Sequence, residues 1–299
     1  MAAESFVSGP LAGRSEVEGA VASICAEGTL GIPEPVRSAM QYALTGGGKR
    51  LRGLLVMAAY KAAGGAGDPS GLAAAVEIIH AYSLVHDDLP CMDDDDMRRG
   101  RPSTHRVYGV PVATAAGAVM IPLAALTALR AAAGLRLPEN ACCTIVKLLM
   151  QGAGAGGMIG GQLLDLEGEG RELSRDELDA VHAAKTGALI ASSVKIGGVA
   201  ARTSETAFNA LGNYGCCIGL AFQIMDDVLD VTASTDQLGK IAGRDVALRK
   251  STYPALLGVD GAVARANDLV DEGCRNLRSA NLLSQELEGL ARFIVSRSH

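Results

Sequence analysis

The sequence contains no tryptophan, and aromatic residues make up only 3% of its 299 residues. No stretch alternates apolar and polar residues for long enough to predict a β-strand. Hydrophobic residues nevertheless account for 48% of the chain, which is rich in alanine, leucine and glycine. Because this composition favours helices over sheets, the expected fold class is all-α, a helical bundle large enough to hold a deep apolar cavity.

Basic residues are scarce relative to acidic ones. The chain has 27 lysine and arginine residues against 33 aspartate and glutamate residues, which gives a net charge of −6. A protein that binds nucleic acid needs a basic surface, so no nucleic-acid partner is expected. An anionic substrate would require a local basic pocket.

The seven cysteines form no Cys-x-x-Cys pair, which favours reduced thiols in a cytosolic-type compartment. The N-terminus has no basic start followed by an apolar run, so no secretory signal is predicted. We therefore expect a cytoplasmic protein. The alternative of an organelle reached through a transit peptide since removed stays open.

The segment from Val107 to Leu129 carries no charge and reaches the length of a membrane-spanning helix. Pro111 and Pro122, with several glycines and many alanines, interrupt the segment and make it weakly hydrophobic. A buried helix is therefore favoured over a membrane span, and no transmembrane segment is expected.

No linker or repeat divides the chain, so residues 1–299 are predicted to form a single domain, with residues 1–11 flexible. The periodicity of hydrophobic residues and the residues typical of helix ends predict helices at about 12–28, 34–45, 50–63, 70–88, 111–134, 138–155, 158–168, 174–202, 204–232, 252–258, 261–279 and 283–296. Ser174 followed by Glu177 has the pattern of a capping box.

A group of three aspartates lies in "FQIMDDVLD", residues 222–230. Asp226 and Asp230 are four residues apart, so a helix places their carboxylates on one face, with Asp227 beside them. Apolar residues surround them on nearly all sides, which indicates a mostly buried helix. Buried acids must pair or hold metal, and hard oxygen ligands suit Mg²⁺.

A second and denser group lies in "HDDLPCMDDDDMRRG", residues 86–100. Like charges this close repel one another unless cations or water neutralise them. Asp87, Asp88 and Asp93 cannot share one face of a straight helix. Pro90 is expected to end or kink the helix, so that the chain loops Asp93 back.

Seven motifs carry a resemblance to a known family. They are "GGGKRLR" (46–52), "EIIHAYSLVHDDLPCMDDDDMRRGRPSTH" (77–105), "GMIGGQLLD" (157–165), "KTGALI" (185–190), "FQIMDDVLD" (222–230), "LGKIAGRD" (238–245) and "KSTYPALLG" (250–258). In this order, and with "RRG" after the first aspartates, they resemble the trans-isoprenyl diphosphate synthases, most of all the bacterial-type short-chain farnesyl and geranylgeranyl enzymes.

The resemblance implies antiparallel helices around a deep central cavity, usually in a homodimer, and head-to-tail condensation of isopentenyl diphosphate with an allylic diphosphate. It implies Mg²⁺ as the cofactor, three ions per active site, which Mn²⁺ can replace. The implied metal ligands are Asp87, Asp88 and Asp93 and, across the cavity, Asp226, Asp227 and Asp230. Metal and cations then stabilise the leaving diphosphate.

Two sets of cations are implied in the same way. Lys49, Arg52, His80 and Arg99 match the isopentenyl diphosphate site, whereas Arg98, Lys185, Lys240 and Lys250 match the allylic side. Thr186 and Gln223 match positions that stabilise a carbocation through oxygen dipoles. His86 is expected to be a packing residue, and the roles of Asp94, Asp95 and Asp96 stay open.

The chain departs from the family at Gly53, where proline is usual, at Arg244 and Arg249, and at Gly117-Ala118, where "Gly-Asp" is common. Product length depends on the floor of the cavity. Tyr82 lies five residues before Asp87, roughly 7.5 Å down a helix axis, and Ser83 beside it is small. We expect Tyr82 to stop growth at farnesyl diphosphate, with geranylgeranyl diphosphate as the alternative product.

The motifs disfavour two other functions. A class I terpene cyclase usually carries an Asn/Ser/Glu second metal motif and lacks the isopentenyl diphosphate cations, whereas this chain has a second aspartate motif and those cations. A regulatory subunit of a prenyl synthase typically loses one or both aspartate motifs, and this chain retains both. The preferred allylic starter and any effect of a partner on product length are left open.

Overall fold

The computed structural model describes residue 9, residues 11–232 and residues 250–297. Thirteen α-helices are defined in these ranges: α1 Arg14–Ser23, α2 Val36–Leu44, α3 Leu51–Ala62, α4 Ser70–Asp87, α5 Thr104–Tyr108, α6 Val110–Gly134, α7 Glu139–Ala153, α8 Met158–Glu167, α9 Arg175–His182, α10 Ala188–Ala200, α11 Glu205–Thr232, α12 Tyr253–Ser279 and α13 Gln285–Ser296. The all-α prediction is confirmed.

Helix α4 lies at the centre of the bundle and packs against α3 and α6. Its sequence is apolar on almost every side, and most of its residues are buried, as expected for a helix that is covered all round. Helix α10 is buried in the same way and packs against α3, α7 and α11. These two helices therefore form the interior on which the remaining helices pack.

The predicted helix 174–202 is continuous, but its hydrogen-bonding pattern changes from α-helical to π-helical in the middle. Residues Ala183–Gly187 form a π-helical turn between α9 and α10, a widening of the helix that is frequent at functional sites. A second π-helical turn, Ile24–Gly28, follows α1. The capping box at Ser174 and Glu177 is present, with both reciprocal hydrogen bonds formed.

Two short features were missed by the sequence reading. Strands β1 (Met97–Arg98) and β2 (Arg101–Pro102) form an antiparallel hairpin after the first aspartates, and α5 follows it. Two-residue strands are too short to show any periodicity. The two helices predicted at 252–258 and 261–279 join as α12, and the break between them is confirmed at Gly258, which has a positive φ of 72°.

Two helical stretches, Val110–Gly134 and Glu139–Glu167, are apolar and long enough to span a membrane by length and composition alone. Of their most apolar windows, 44% and 39% are buried, and core helices meet the same test. The side chains of Leu126, Leu129, Ile159, Leu163 and Leu164 on α6 and α8 are exposed. The bundle thus leaves apolar side chains of both helices uncovered.

Candidate active site

A cleft of about 370 Å³ opens between the helices that carry the two aspartate motifs. Of the predicted site residues, it is lined by Arg52, His80, Ser83, Asp87, Asp93, Arg98, Arg99, Lys185, Thr186, Gln223, Asp226, Asp227, Asp230 and Lys250. Motifs that lie far apart in the sequence are therefore brought to one cavity. Asp88, Lys49 and Tyr82 are not among the residues that line it, and Lys240 lies outside the described residues.

The first aspartate motif folds back on the end of α4, as Pro90 led us to expect. The backbone N–H of Asp93 donates to the Asp87 carbonyl oxygen at 2.8 Å, and the N–H of Asp95 donates to the Asp88 carbonyl at 3.2 Å. These two bonds bring Asp93 next to Asp87 at the mouth of the cleft. Burial raises the pKa of Asp87 to about 6; Lys185 acts against this rise, and the Asp93 carboxylate adds to it.

Asp88 pairs with an arginine side chain. Its Oδ1 accepts from Arg98 Nε at 2.9 Å and also contacts Arg98 Nη2. Arg98 Nη2 lies 3.0 Å from Asp95 Oδ2 as well. The guanidinium of Arg98 therefore joins two carboxylates of the first motif, and the β1–β2 hairpin that carries Arg98 holds it in that position.

The second motif lies late in α11, and its three aspartates differ in their surroundings. Asp227 and Asp230 are buried, whereas 38% of the Asp226 side chain is exposed. Asp227 Oδ2 accepts from His182 Nε2 at 3.2 Å and from the backbone N–H of Tyr253 at 3.0 Å. Asp227 therefore ties α11 to the end of α9 and to the start of α12.

Asp226 pairs with a residue that the sequence reading missed. Arg297 Nη2 lies 2.6 Å from Asp226 Oδ1 and donates to the Phe222 carbonyl oxygen at 2.8 Å. The Arg297 guanidinium also lies 3.9 Å from the centre of the Phe222 ring. A lone arginine after the last helix gives no signal in the sequence, because only the tertiary fold brings it to the cleft.

The cations predicted for isopentenyl diphosphate surround a buried carboxylate. Glu77 Oε2 lies 3.6 Å from Arg50 Nη1, and the Glu77 charge also acts on Arg52 and Arg99. His80 Nε2 lies 3.4 Å from Arg99 Nη2. Burial and then the neighbouring arginines hold the pKa of His80 well below its ordinary value, so this imidazole is neutral at pH 7.

Lys49, which also belongs to the set predicted for isopentenyl diphosphate, lies near helix α13. Its Nζ is 5.6 Å from the centre of the Phe293 ring on α13. Burial lowers the pKa of this lysine, the nearby Arg297 lowers it further, and Asp226 acts in the opposite direction. Lys49 and Arg297 thus lie on one side of the second aspartate motif.

The π-helical turn presents Lys185 and Thr186 to the cleft. Helix α8 approaches this turn so closely at Gly161 that a Cβ there would collide with the Lys185 backbone. Helix α11 approaches from the other side at Gly219, where a Cβ would lie 2.7 Å from Gly187 Cα. Glycine at these positions lets three helices meet, so the turn is fixed between α8 and α11.

Helix α8 contributes a polar edge to which the sequence reading gave no role. Gln162 Nε2 donates to Asp93 Oδ1 at 3.2 Å. Its Oε1 is buried and accepts no hydrogen bond from the described part of the chain. One turn later, Asp165 Oδ2 contacts Lys185 Nζ at 2.6 Å and Lys250 Nζ at 2.7 Å. The "GGQLLD" motif could have indicated these contacts only together with the fold.

Tyr82, on α4, is 3% exposed. Its ring meets the His86 ring edge to face, with 5.4 Å between centroids. His86 Nε2 donates to the Thr114 carbonyl oxygen at 3.1 Å, and a Cβ at Gly117 would collide with the His86 ring. His86 therefore packs against α6, as expected, and Ser83 faces the cleft.

The donor set fits a divalent cation. No three His, Cys, Asp or Glu side chains among the described residues form a compact, ready-made metal centre. The carboxylates instead line opposite walls of one cleft, and burial, with a smaller contribution from the Asp93 carboxylate, raises the pKa of Asp87. This arrangement suits Mg²⁺, which is typically held by one or two carboxylates and takes its other ligands from water and substrate phosphates.

Comparisons with known proteins agree with this site. The polyprenyl synthetase family model matches residues 33–281. Farnesyl diphosphate synthase of Escherichia coli (strain K12) is 43% identical over 88% of this chain and 90% of its own length. The chloroplastic geranylgeranyl pyrophosphate synthase of Capsicum annuum is 40% identical over 89% of this chain and 73% of its own length.

Among solved structures, the geranyltransferase of Helicobacter pylori, complexed with magnesium and isoprenyl diphosphate, has a TM-score of 0.81 and 29% identity. The match covers 97% of this chain and 98% of that one. The family match extends over most of the chain and includes both aspartate motifs. This chain therefore belongs to the polyprenyl synthetase family and is a prenyltransferase.

Proposed function

We propose that the protein condenses isopentenyl diphosphate with dimethylallyl and geranyl diphosphates to give farnesyl diphosphate. The observation that carries this proposal is the single cleft lined by both aspartate motifs and by two separate groups of cations. Two diphosphates bring several negative charges into one site. A cleft with carboxylates alone would repel them, and a cleft with cations alone would not need metal.

The allylic diphosphate is assigned to the side of Arg98, Lys185 and Lys250. Arginine and lysine charges bind phosphate oxygens and stabilise the charge that develops on the leaving diphosphate. Mg²⁺, when held by Asp87, Asp88 and Asp93 and by Asp226, Asp227 and Asp230, supplies further stabilisation of that developing anion. Lys240 completes this set in our proposal but lies outside the described residues.

The allylic carbon is assigned to the space beside Thr186 and Gln223. Thr186 Oγ1 donates to Gln223 Oε1 at 2.7 Å, so the hydroxyl proton points to the amide and the remaining lone pairs of both oxygens are available to the cleft. Oxygen dipoles held in this way favour positive charge nearby. The structure thus supports a role for this pair in stabilising the allylic cation.

Isopentenyl diphosphate is assigned to Arg52, His80, Arg99 and Lys49. The His80 imidazole, neutral in the empty cleft, can donate a hydrogen bond to phosphate through its ring N–H. Arginine supplies the charge in a planar fork that fits phosphate. No side chain is needed as a dedicated base, because the released diphosphate can take the proton that is lost when the new double bond forms.

Farnesyl diphosphate is the proposed end product because the bulky Tyr82, on α4 below the first aspartates, packs against His86, which in turn contacts α6. A bulky pair at this place leaves little room for a longer chain. Relatives of similar identity carry the names of farnesyl and of geranylgeranyl enzymes, so geranylgeranyl diphosphate is the alternative product.

A homodimer is proposed from the uncovered apolar side chains of α6 and α8. Exposed leucine and isoleucine side chains on α6 and on α8 are typical of a surface that a partner covers. Light scattering is expected to give a mass twice the 30.6 kDa of one chain. A mass equal to one chain would contradict this part of the proposal.

The decisive experiment is incorporation of isopentenyl diphosphate by the purified protein. Dimethylallyl, geranyl and farnesyl diphosphates are offered separately, with Mg²⁺ or with EDTA, and chain lengths are resolved by mass spectrometry. Farnesyl product that is not extended is expected, and only with the metal. Geranylgeranyl product would keep the reaction and overturn the product length, whereas no product from any starter would point to a regulatory subunit.

A further inference from the structure

The carboxylate of Asp165 is shared by two lysines that come from distant parts of the chain. Lys185 lies in the π-helical turn, and Lys250 lies two residues before Thr252, which caps α12. Both ammonium groups contact the same oxygen, Oδ2, at 2.6 and 2.7 Å. Two positive charges are therefore held side by side by one negative charge.

This cluster is poorly accessible to water. The exposed fractions of the Lys185, Lys250 and Asp165 side chains are 23%, 12% and 16%. Two ammonium groups at this depth would repel each other and lose solvation without a counter-charge. Burial by itself would lower the pKa of Lys185, but Asp165 and then Asp93 and Asp87 outweigh it and raise that pKa. Lys185 thus stays charged while the cleft is empty.

We infer that Asp165 is a positioning residue of the allylic diphosphate site, which holds Lys185 and Lys250 in place until the diphosphate replaces it as their counter-charge. The inference rests on the proposed function, because that function assigns both lysines to the allylic diphosphate. Asp165 lines the same cleft, but the role inferred for it is to hold the two lysines. Its effect is to fix two cations in advance, so that binding does not have to gather them.

The rest of α8 supports this assignment. Gln162, one turn before Asp165, holds Asp93 of the first metal motif. Glu169, one turn after it, lies 3.4 Å from Lys250 Nζ. Gln162 and Asp165 share one face of α8, and Glu169 follows in the turn after the helix ends at Glu167. This face therefore links the first aspartate motif to the allylic lysines, and Asp165 is the residue of the three that contacts both lysines.

The test compares Asp165→Asn with Glu167→Gln. Both variants remove one negative charge from α8, but Glu167 is exposed and makes none of the lysine contacts. In Asp165→Asn, the KM for geranyl diphosphate is expected to rise about tenfold, which corresponds to 1.4 kcal/mol. The KM for isopentenyl diphosphate is expected to stay within about twofold of the wild-type value in both variants. In Glu167→Gln, the KM for geranyl diphosphate is also expected to stay within about twofold of the wild-type value.

A second measurement does not depend on turnover. The Tm of Asp165→Asn is expected to fall by about 5 °C in the empty enzyme, because two buried ammoniums lose their counter-charge. Saturating inorganic pyrophosphate with Mg²⁺ is expected to remove more than half of that loss, since pyrophosphate takes the place of the carboxylate. Asp165→Glu, which keeps the charge, is expected to recover most of the Tm in the empty enzyme.

Equal Tm losses with and without pyrophosphate would overturn the positioning role and leave the proposed reaction intact. A lower geranyl KM in Asp165→Asn would also overturn it, because Asp165 would then only repel the diphosphate. If Asp165→Asn does not fold, the Asp165→Glu geranyl KM decides: an increase confined to that substrate supports positioning, and equal increases for both substrates overturn it. Absence of prenyl product from the wild-type enzyme would instead refute the proposed function.

Discussion

Thr186 Oγ1 donates a hydrogen bond to Gln223 Oε1 across 2.7 Å, which joins the π-helical turn to α11 inside the cleft. The two residues lie 37 positions apart in the chain, and the close packing of Gly219 against Gly187 lets them meet. The hydrogen bond to Gln223 sets the orientation of the hydroxyl. The pair is therefore a fixed arrangement of two oxygens at the place proposed for the allylic carbon.

Replacing Thr186 by valine keeps the shape of the side chain and removes its oxygen. We expect kcat for farnesyl formation to fall about tenfold, in line with the loss of one oriented dipole of roughly 1.4 kcal/mol. Thr186→Ser keeps the hydroxyl and is the matched control, expected to retain most of kcat. Single-turnover kinetics with geranyl diphosphate would measure both. A valine variant as fast as the wild type would remove Thr186 from the mechanism.

Tyr82→Ala tests the proposed limit on product length. Removing the ring opens space beside His86 and α6, so geranylgeranyl diphosphate is expected among the products, identified by mass spectrometry. Tyr82→Phe keeps the ring and is expected to give farnesyl diphosphate alone. If the alanine variant makes the same products as the wild type, Tyr82 does not set the chain length.

Gly53 departs from the family's usual proline, and the structure gives this glycine two contacts. Its backbone N–H donates to Glu77 Oε1 at 2.9 Å, and a Cβ there would lie 2.8 Å from Val17 Cγ1. The N–H is one of the first in α3, which has no side-chain cap of its own. Glu77 therefore caps α3 from the neighbouring helix.

Gly53→Ala and Gly53→Pro separate these two contacts. Alanine adds the crowding alone and is expected to lower the free energy of unfolding by about 1 to 3 kcal/mol. Proline adds the same crowding and removes the donor to Glu77, so a further loss of about 1 kcal/mol is expected. Urea unfolding of both variants would measure the difference. Equal stabilities would mean that the hydrogen bond to Glu77 contributes nothing.

The helices and the two aspartate motifs could be predicted because their signals are local. Periodicity placed α4 and α11, and Pro90 indicated the fold-back that brings Asp93 to Asp87. The sequence also indicated the break at Gly258, now seen inside α12. Each of these features depends on residues only a few positions apart.

Other parts of the site depend on contacts that no local pattern records. Arg297 reaches Asp226 across 71 positions, and Lys250 reaches Asp165 across 85. His182, which contacts Asp227, and Asp165, which contacts Lys185 and Lys250, are ordinary side chains by sequence alone. The β1–β2 hairpin was missed for another reason, since two residues per strand carry no period. Tertiary packing, rather than sequence pattern, decides such positions.

Acid titration tests the charge on Asp165 separately from its role in binding. Burial would raise the pKa of this carboxyl, but the ammoniums of Lys185 and Lys250 outweigh burial and lower it from 3.8 to about 2. A carboxyl whose pKa is lower in the folded state contributes stability above its unfolded pKa. That contribution, about 2 kcal/mol, is lost as the pH falls from about 4 to 2.

The wild type is expected to have a higher free energy of unfolding than Asp165→Asn, and this difference is therefore expected to be constant from pH 7 to 5. It should then shrink as the pH falls to 3, because the asparagine cannot titrate. Urea unfolding at each pH would measure it. Glu167→Gln, on the exposed side of α8, is expected to show no such change relative to the wild type. An Asp165→Asn difference that stays constant down to pH 3 would mean that the lysines do not hold Asp165 ionised, and the carboxylate would then act by packing alone.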